Sequence, residues 1–375
     1  MKRITYSKVK QRVKGSFDSL KNCLKNTSCF FRSGRAYKNS LLAIYDFAGN
    51  PYDHSVAEFL ASSEMARVKR SLFYMDVVLV ADRDKKHRGD QPEVNEATFR
   101  NWIMNLAECA DLLRSVSTLV IFDDRMKFLS FYQRVRHSHQ IYPENGFVYR
   151  PRKASHLKTV SDYYRSTGYV PKFQSSQVLL EWAEKYFLER SYPLIPVVIF
   201  IRNSKTHPGR NTDLPTWFSF MRKVLNQYNV KFFLVNDFWN PVSIPEDLRE
   251  KIEVSVEATM STKYRVALTQ RASLIMGQCI GSAVPIYLED TPYLMFGFDN
   301  EYFSAQLNIE LYGMTPDLQF PWASQYQKIF GTKGDAPFIQ QQFDMMFHML
   351  ESRGKLVPNY FRSTDPSLMM AHSQV

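Results

Sequence analysis

The feature that most constrains this chain is a recurrence of short apolar runs separated by stretches with helical periodicity. "LLAIYDF" (41–47), "FYMDVVLVAD" (73–82), "TLVIFDD" (118–124), "PVVIFIRN" (196–203) and "VKFFLVND" (230–237) are rich in β-branched and aromatic residues, and most end in polar ones. Nearly continuous apolar runs of this length are what strands covered on both faces look like. Between them lie helical segments at 55–70, with Asp53 or Ser55 as N-cap, and at 96–115, 125–135 and 176–191. Two more run over 215–228, capped by Thr212 or Asp213, and over 261–277, ended by Gly277. Helical crossovers between buried strands demand parallel pairing, so the pattern predicts an α/β fold.

The rhythm breaks once. Residues 136–172 ("HQIYPENGFVYRPRKASHLK" at their heart) are rich in Tyr, Pro, Arg and His, and the alternation then restarts. "QCIGSAVPIYLE" (278–289) reads as short strand material around a Gly-Ser turn. Two arrays joined by an irregular passage predict two Rossmann-like βαβ domains facing a cleft, over 41–172 and 173–335. A basic N-terminal arm (1–40) precedes them, and a C-terminal helix and tail (336–375) follow.

Composition sets the class. A chain of 375 residues that is 45% hydrophobic and 14% aromatic has ample core material, which excludes wholesale disorder. No apolar run approaches the roughly 20 residues that span a bilayer. No signal-peptide apolar core follows the basic N-terminus, so the expected location is the cytosol. Cys23, Cys29, Cys109 and Cys279 form no C-x-x-C pair and no zinc spacing. His137 and His139 would share one face of a strand, without a third ligand, so no metal is expected.

The net charge of +11 is unevenly spread. Residues 1–40 hold eleven Lys or Arg against the single acid Asp18, which accounts for +10. The remaining body is nearly neutral, so nucleic acid is not an expected partner. Val9, Val13, Phe17, Leu20 and Leu24 can be drawn as an apolar stripe on a helical arm. Such a segment suits an anionic membrane surface or a protein partner, and a solvated tail is the alternative.

Loops after parallel strands are where α/β proteins hold ligands. "IRNSKTHPGRN" (201–211) puts Arg202 and Asn203 at the mouth of an apolar strand, with Arg210 and Asn211 further along. A guanidinium is a planar fork that matches phosphate oxygens in pairs, so this loop suits a pyrophosphate. An unpaired charge abutting a buried strand would be costly, which favours that reading over an ordinary polar loop. Arg265, with Tyr264 and Leu268, lies on the helix that Gly277 ends, and Gly281-Ser282 follow, where small residues admit a close ligand. "PWASQYQ" (321–327) offers Trp322 for stacking and Gln325 for hydrogen bonds, or else simple packing. In "VVLVADRD", Asp82 and Asp84 have the spacing to share a divalent cation with phosphate, or form a solvated charged loop.

At this point the residues resemble a family. "IRNSKTHPGRNTDLPTW" looks like the "TLR-x-x-x-x-P-x-RNSN-x-x-x-W" signature of a bacterial group found with surface-polysaccharide biosynthesis, similar to glycosyltransferases of the GT-B type. "AIYDFAGNPYDHSVAEFLASSEMARVKR", the pair Glu257 and Arg265, and "PWASQYQ" fit as well, so the resemblance covers roughly 41–330 and leaves out the basic arm. The chain departs from it with "RNTD", which places Asp213 where the group has an amide, and with Ile280-Gly281-Ser282 in place of Asn-Gly-Pro.

The resemblance implies a hexosyltransferase-like enzyme. It would bind a nucleotide sugar against the C-terminal domain and a glycan or lipid-linked acceptor against the N-terminal one. No metal and no cofactor beyond the nucleotide-sugar co-substrate is implied, and the location would be cytoplasmic, or peripheral on the inner face of the cytoplasmic membrane through the basic arm. Donor-binding residues would be Arg202, Asn203, Arg210, Asn211, Arg265, Gly281, Ser282, Trp322 and Gln325. Asp46 and Asp53 are the candidates for the base that takes the acceptor proton, unless they serve strand-end solvation and helix capping. Two alternatives stand beside this reading. One is a GT-A enzyme using Asp82 and Asp84, and the other a non-catalytic scaffold or ligand-binding protein on the same fold.

Overall fold

The computed structural model describes residues 39–81, 94–95, 97–144, 155–205, 208–236, 240–279 and 281–356. Contacts divide the chain into two units. One comprises Met1–Pro51, Ser63–Lys86 and Arg114–Pro151, and the other Tyr52–Ser62, His87–Leu113 and Arg152–Val375. The N-terminal arm, Asp82, Asp84 and Ile280 lie outside the described residues.

The first unit is built on β1 (Ser40–Asp46), β2 (Tyr74–Val80), β3 (Val116–Phe122) and β4 (Gln140–Tyr142), all parallel, in the order β3-β2-β1-β4. Every residue of β1 is buried, as its unbroken apolar run requires. Helix α1 (Ser55–Lys69) crosses from β1 to β2, and its first turns are grouped with the second unit. Helix α2 (Phe99–Ala107) also belongs to the second unit, and α3 (Arg125–Val135) to the first. Asp124 caps α3 by accepting from the backbone N–H of Met126 and Lys127. Helix α3 lays Phe128, Phe131 and Val135 on Leu42, Ile44, Val78 and Val80.

The second unit contains α4 (His156–Thr167), α5 (Gln177–Ser191), β5 (Ile195–Phe200), α6 (Leu214–Gln227), β6 (Val230–Val235) and β7 (Ile252–Val254). It continues through α7 (Val256–Met260), α8 (Thr262–Arg271), β8 (Leu274–Gln278), β9 (Tyr293–Phe296), α9 (Ala305–Tyr312), β10 (Gln327–Ile329) and α10 (Ala336–Ser352). Its six strands are parallel, in the order β10-β9-β8-β5-β6-β7. On one face, Trp217 and Phe220 of α6 and Phe343 and Phe347 of α10 join Val197, Ile199, Phe232 and Leu234 in one core. On the other, Phe187 of α5 packs its ring 4.8 Å from that of Phe233. Each fully buried side chain of this kind contributes about 1.5–3 kcal/mol. Two separate parallel sheets of Rossmann type are the architecture of the GT-B expectation, and they set the GT-A alternative aside.

Three stretches depart from the periodicity. The helix expected over 261–277 stops at Arg271, and "LIMGQ" is strand β8. The Ser273 N–H donates to Pro196 O and Leu274 pairs with Val197, so sheet hydrogen bonds capture an apolar run that would also fit a helix. Gly277 is therefore a strand residue and not a helix end. A Cβ there would lie 2.8 Å from the Cβ and 2.9 Å from the carbonyl oxygen of Phe200. Gly281–Leu288, expected as strand material, is a 3-10 helix. The irregular passage contains β4 and α4, and His137 and His139 lie in the turn before β4 instead of on a strand.

Candidate functional site

In an open parallel sheet, the loops part where the chain reverses its direction of travel across the strands, leaving a crevice at the strands' C-terminal ends. In the second unit this place lies between β5 and β8. The chain moves outward from β5 to β6 and β7 on one side, and from β8 to β9 and β10 on the other. The loops at this point contain Arg202, Asn203, Arg210 and Asn211 after β5, and Cys279, Gly281 and Ser282 after β8.

The loop after β5 is closed by its own polar residues. Arg202 N donates to Thr212 Oγ1 at 2.9 Å, and Thr212 N returns a bond to Arg202 O at 2.9 Å. Asn211 copies a backbone pairing with its side chain: its Oδ1 accepts from Ser204 N at 3.0 Å and its Nδ2 donates to Ser204 O at 2.9 Å. Asn203 Nδ2 donates to Asn240 O at 3.2 Å. The two asparagines thus shape the loop, and their amides are committed to backbone.

Arg210, in the 3-10 turn Pro208–Arg210, reaches across to the end of β8. Its Nη2 donates to Cys279 O at 3.3 Å and lies 3.5 Å from Cys279 Sγ, and its guanidinium stands 5.1 Å from the Phe303 ring centroid. Its Nε is buried and has no hydrogen-bond partner among the described residues. Lys333, beyond β10, donates its Nζ to Gly209 O and, at 3.4 Å, to Asn211 O. Loops from β5, β8, β9 and β10 therefore meet around Arg210. Gly281 opens its 3-10 helix with no atom within 4 Å of where a Cβ would stand, and Ser282 is half-buried beside it.

Acidic and phenolic groups face the same cation. The Tyr312 hydroxyl is held well above the usual phenol range. Burial is the first cause, and the charges of Glu58, Cys279 and Asp53 push the same way while Arg210 opposes them. The Tyr287 phenol is likewise raised by burial and by Cys279, Tyr293 and Tyr312, again against Arg210. Asp53 Oδ1 accepts from Ser55 N at 2.8 Å, which starts α1 and leaves the half-buried carboxylate in this field.

Arg265 is buried and braces the fold. Its Nε donates to Ala258 O at 3.0 Å and its Nη2 to Thr259 O at 3.1 Å, so a cation covers the carbonyls near the C-terminal end of α7. Its Nη1 lies 3.3 Å from Nε2 of His54. Burial, and secondarily the charge of Arg265, push the His54 imidazole down to about 3. Asp46 belongs to the first unit and is also engaged: Arg125 grips both carboxylate oxygens at 2.9 and 2.7 Å, and Ala48 N donates to Oδ1. Trp322 is buried, stacked on Phe320 at 5.0 Å, with Nε1 donating to Tyr287 O at 2.7 Å. Gln325 is exposed, and the buried amide of that segment is Gln327, which donates to Glu289 O and Thr291 O.

His54, Glu58 and Tyr312 escaped the sequence reading, and Cys279 was not read there as a site residue. "PYDHSVAEF" is the one local signal, with a His and two acids around a helix start. Among the described residues, no group of three His, Cys, Asp or Glu could hold a metal ion. No helix there is long and apolar enough to cross a membrane.

No protein-family model matches the sequence, and no curated protein matches it. Solved structures do. The ADP-heptose LPS heptosyltransferase II of E. coli is similar to this chain with a TM-score of 0.51 at 8% identity, over 84% of this chain and 99% of that one. A glycosyl transferase of family 9 from Veillonella parvula has a TM-score of 0.47 at 8% identity, over 84% and 99%. The E. coli heptosyltransferase WaaC with ADP has a TM-score of 0.45 at 9% identity, over 82% and 99%.

Proposed function

On the GT-B fold that it shares with the E. coli heptosyltransferase II, we propose that this chain is a glycosyltransferase. It moves a sugar from a nucleotide-sugar donor to a glycan or lipid-linked acceptor in surface-polysaccharide assembly. The observation that carries this reading is Arg210. It is a half-buried cation at the reversal point of the second sheet, and its buried Nε has no acceptor among the described residues. A buried donor left unmet costs about 1–3 kcal/mol, more when charged, and a diphosphate oxygen would satisfy it.

In this reading the segment 173–335 serves the donor and 41–172 the acceptor. Arg202 and Arg210 bind the diphosphate, and Gly281 and Ser282 border it. Asp53 takes the proton of the acceptor hydroxyl, whose oxygen attacks the anomeric carbon. The bond from that carbon to the diphosphate breaks, and the arginines stabilise the departing charge. Arg265 and His54 position the start of α1. The basic arm directs the protein to an anionic cytoplasmic membrane surface, where a lipid-linked acceptor would be found.

Calorimetry with a panel of nucleoside diphosphates tests the donor site. One of them is expected to bind the parent, and Arg210→Ala and Arg202→Ala are each expected to weaken it about tenfold, as for a charge-assisted contact. Arg210→Lys restores only part, because an ammonium lacks the planar fork. Undiminished binding by both folded alanine variants would refute the assignment. Turnover by none of a nucleotide-sugar panel, with diphosphate binding intact, would favour a non-catalytic ligand-binding protein.

A further inference from the structure

We propose that the edge of the first unit where its strands begin is a docking face for an anionic lipid bilayer, with Phe73 and Tyr74 as the inserting pair. This rests on the reading of the basic arm as membrane-directed and adds a folded contact surface to it.

In a parallel sheet all strands start at one edge, and the register places these starts in a row. Tyr74 stands opposite Ser40, Met75 opposite Val116, and Leu41 opposite Gln140. At this edge Phe73 is 68% exposed and the neighbouring Tyr74 54%, with ring centroids 6.5 Å apart. Single exposed apolar residues are ordinary on a protein surface, but adjacent aromatics among cations are what a bilayer interface takes up. The cations are present: Lys69, Arg114 and Arg136 are exposed on the segments that lead into β2, β3 and β4.

The carboxylates near this edge are answered within the fold. Glu64 is paired with Arg67 and accepts from Ser115, Asp76 accepts from Ser40, and Glu144 is held by Arg70. Lys69, Arg114 and Arg136 are thus exposed beside carboxylates that each have a partner within the fold.

The pair is also held in place. Ser71 adopts a left-handed backbone (φ 54) that ends α1, and Leu72 tucks into the core. Arg67 Nη1 donates to the carbonyls of Leu72 and Phe73. Phe73 N donates to Asn39 O at 2.9 Å, so the arm joins the fold directly beside the aromatic pair. Asn39, the residue that follows the basic segment in the sequence, therefore stands beside the exposed Phe73 and Tyr74. One weak electrostatic signal and one weak apolar signal together make stable attachment, where either alone is marginal.

The test is sedimentation of the full chain with vesicles of phosphatidylcholine alone and of phosphatidylcholine mixed with phosphatidylglycerol. The parent is expected to bind the mixed vesicles only. The double variant Phe73→Ser/Tyr74→Ser should bind them about tenfold more weakly, on the scale of burying one aromatic side chain. Its nucleoside-diphosphate binding should match the parent's, which confirms that it is folded. Phe73→Trp should retain vesicle binding and show tryptophan emission quenched by brominated acyl chains.

If the double variant binds mixed vesicles as well as the parent does, the docking face is refuted while the arm's role survives. If the parent binds neither vesicle, both fall. If the double variant changes the oligomeric state in sedimentation velocity without changing vesicle binding, the face joins copies of the chain and the proposal is overturned.

Discussion

His54 should make the protein acid-sensitive, and the structure sets the size of the effect. The ring is buried, and its Nε2 faces Nη1 of Arg265 at 3.3 Å. A guanidinium only donates, so Nε2 must accept and the proton must sit on Nδ1. A second proton would place a cation against Arg265 in a desolvated site, which is why the group is pushed from 6.5 down to about 3. In an unfolded chain the same imidazole takes its proton near pH 6.5. Between those values the unfolded state binds a proton that the native state refuses. The stability is complete above about pH 6.5 and is lost as the pH falls toward 3. One unit corresponds to about 1.4 kcal/mol, so about 2 kcal/mol is lost by pH 5.

His54→Gln keeps an acceptor for Arg265 and removes the titration. Urea unfolding of parent and variant near pH 7 and near pH 5 isolates the effect. Buried carboxyls raised by desolvation, such as Asp76, Glu108 and Glu289, act in the opposite sense and cancel between the two proteins. The parent should lose about 2 kcal/mol more than the variant over this range. Equal losses would show that His54 is already solvated or charged in the native state, and the positioning role given to it would fall.

Three further outcomes are expected. Gly277→Ala drives a Cβ into the backbone of Phe200, so thermal or urea unfolding should show a loss of about 1–3 kcal/mol, with a smaller loss for Gly281→Ala, where the space is open. Asp53→Asn should preserve nucleoside-diphosphate binding and cut transfer at least about a hundredfold, as removal of a general base does, and unchanged turnover would move the base elsewhere. Replacing Lys8, Lys10, Arg12 and Lys14 of the arm by Gln should abolish sedimentation with anionic vesicles at moderate salt, and vesicle binding equal to the parent's would leave the arm without that role.

The chain's periodicity already contained the two-sheet α/β architecture, because a strand covered on both faces has no polar residue to spare and a parallel connection needs a crossover. Arg125–Val135 and Gln177–Ser191 lie where their patterns place them to within a residue. What failed was the segment 261–289. "LIMG" is apolar at both periods, and only the neighbouring edge of β5, with its unmet hydrogen bonds, made it a strand. The short strands β7, β9 and β10 were missed as well, since three or four residues carry no periodicity of their own.

The candidate site divides along the same line. That Arg202 and Arg210 stand in the loop after an apolar strand is a property of the sequence, since both lie within ten residues of its end. Which polar groups remain available was decided by tertiary structure. Asn203 and Asn211 turned inward to close the loop, and Arg265 was taken by the carbonyls of Ala258 and Thr259. Arg125 engaged Asp46, and Trp322 went into the core. His54 met Arg265, and Tyr312 met Arg210 and Glu58, only through the fold, because these partners lie roughly 100 to 250 residues apart in the chain. A side chain's chemical type is local. Whether its hydrogen-bonding capacity is spent within the protein or left for a ligand depends on which distant groups packing brings within about 3 Å.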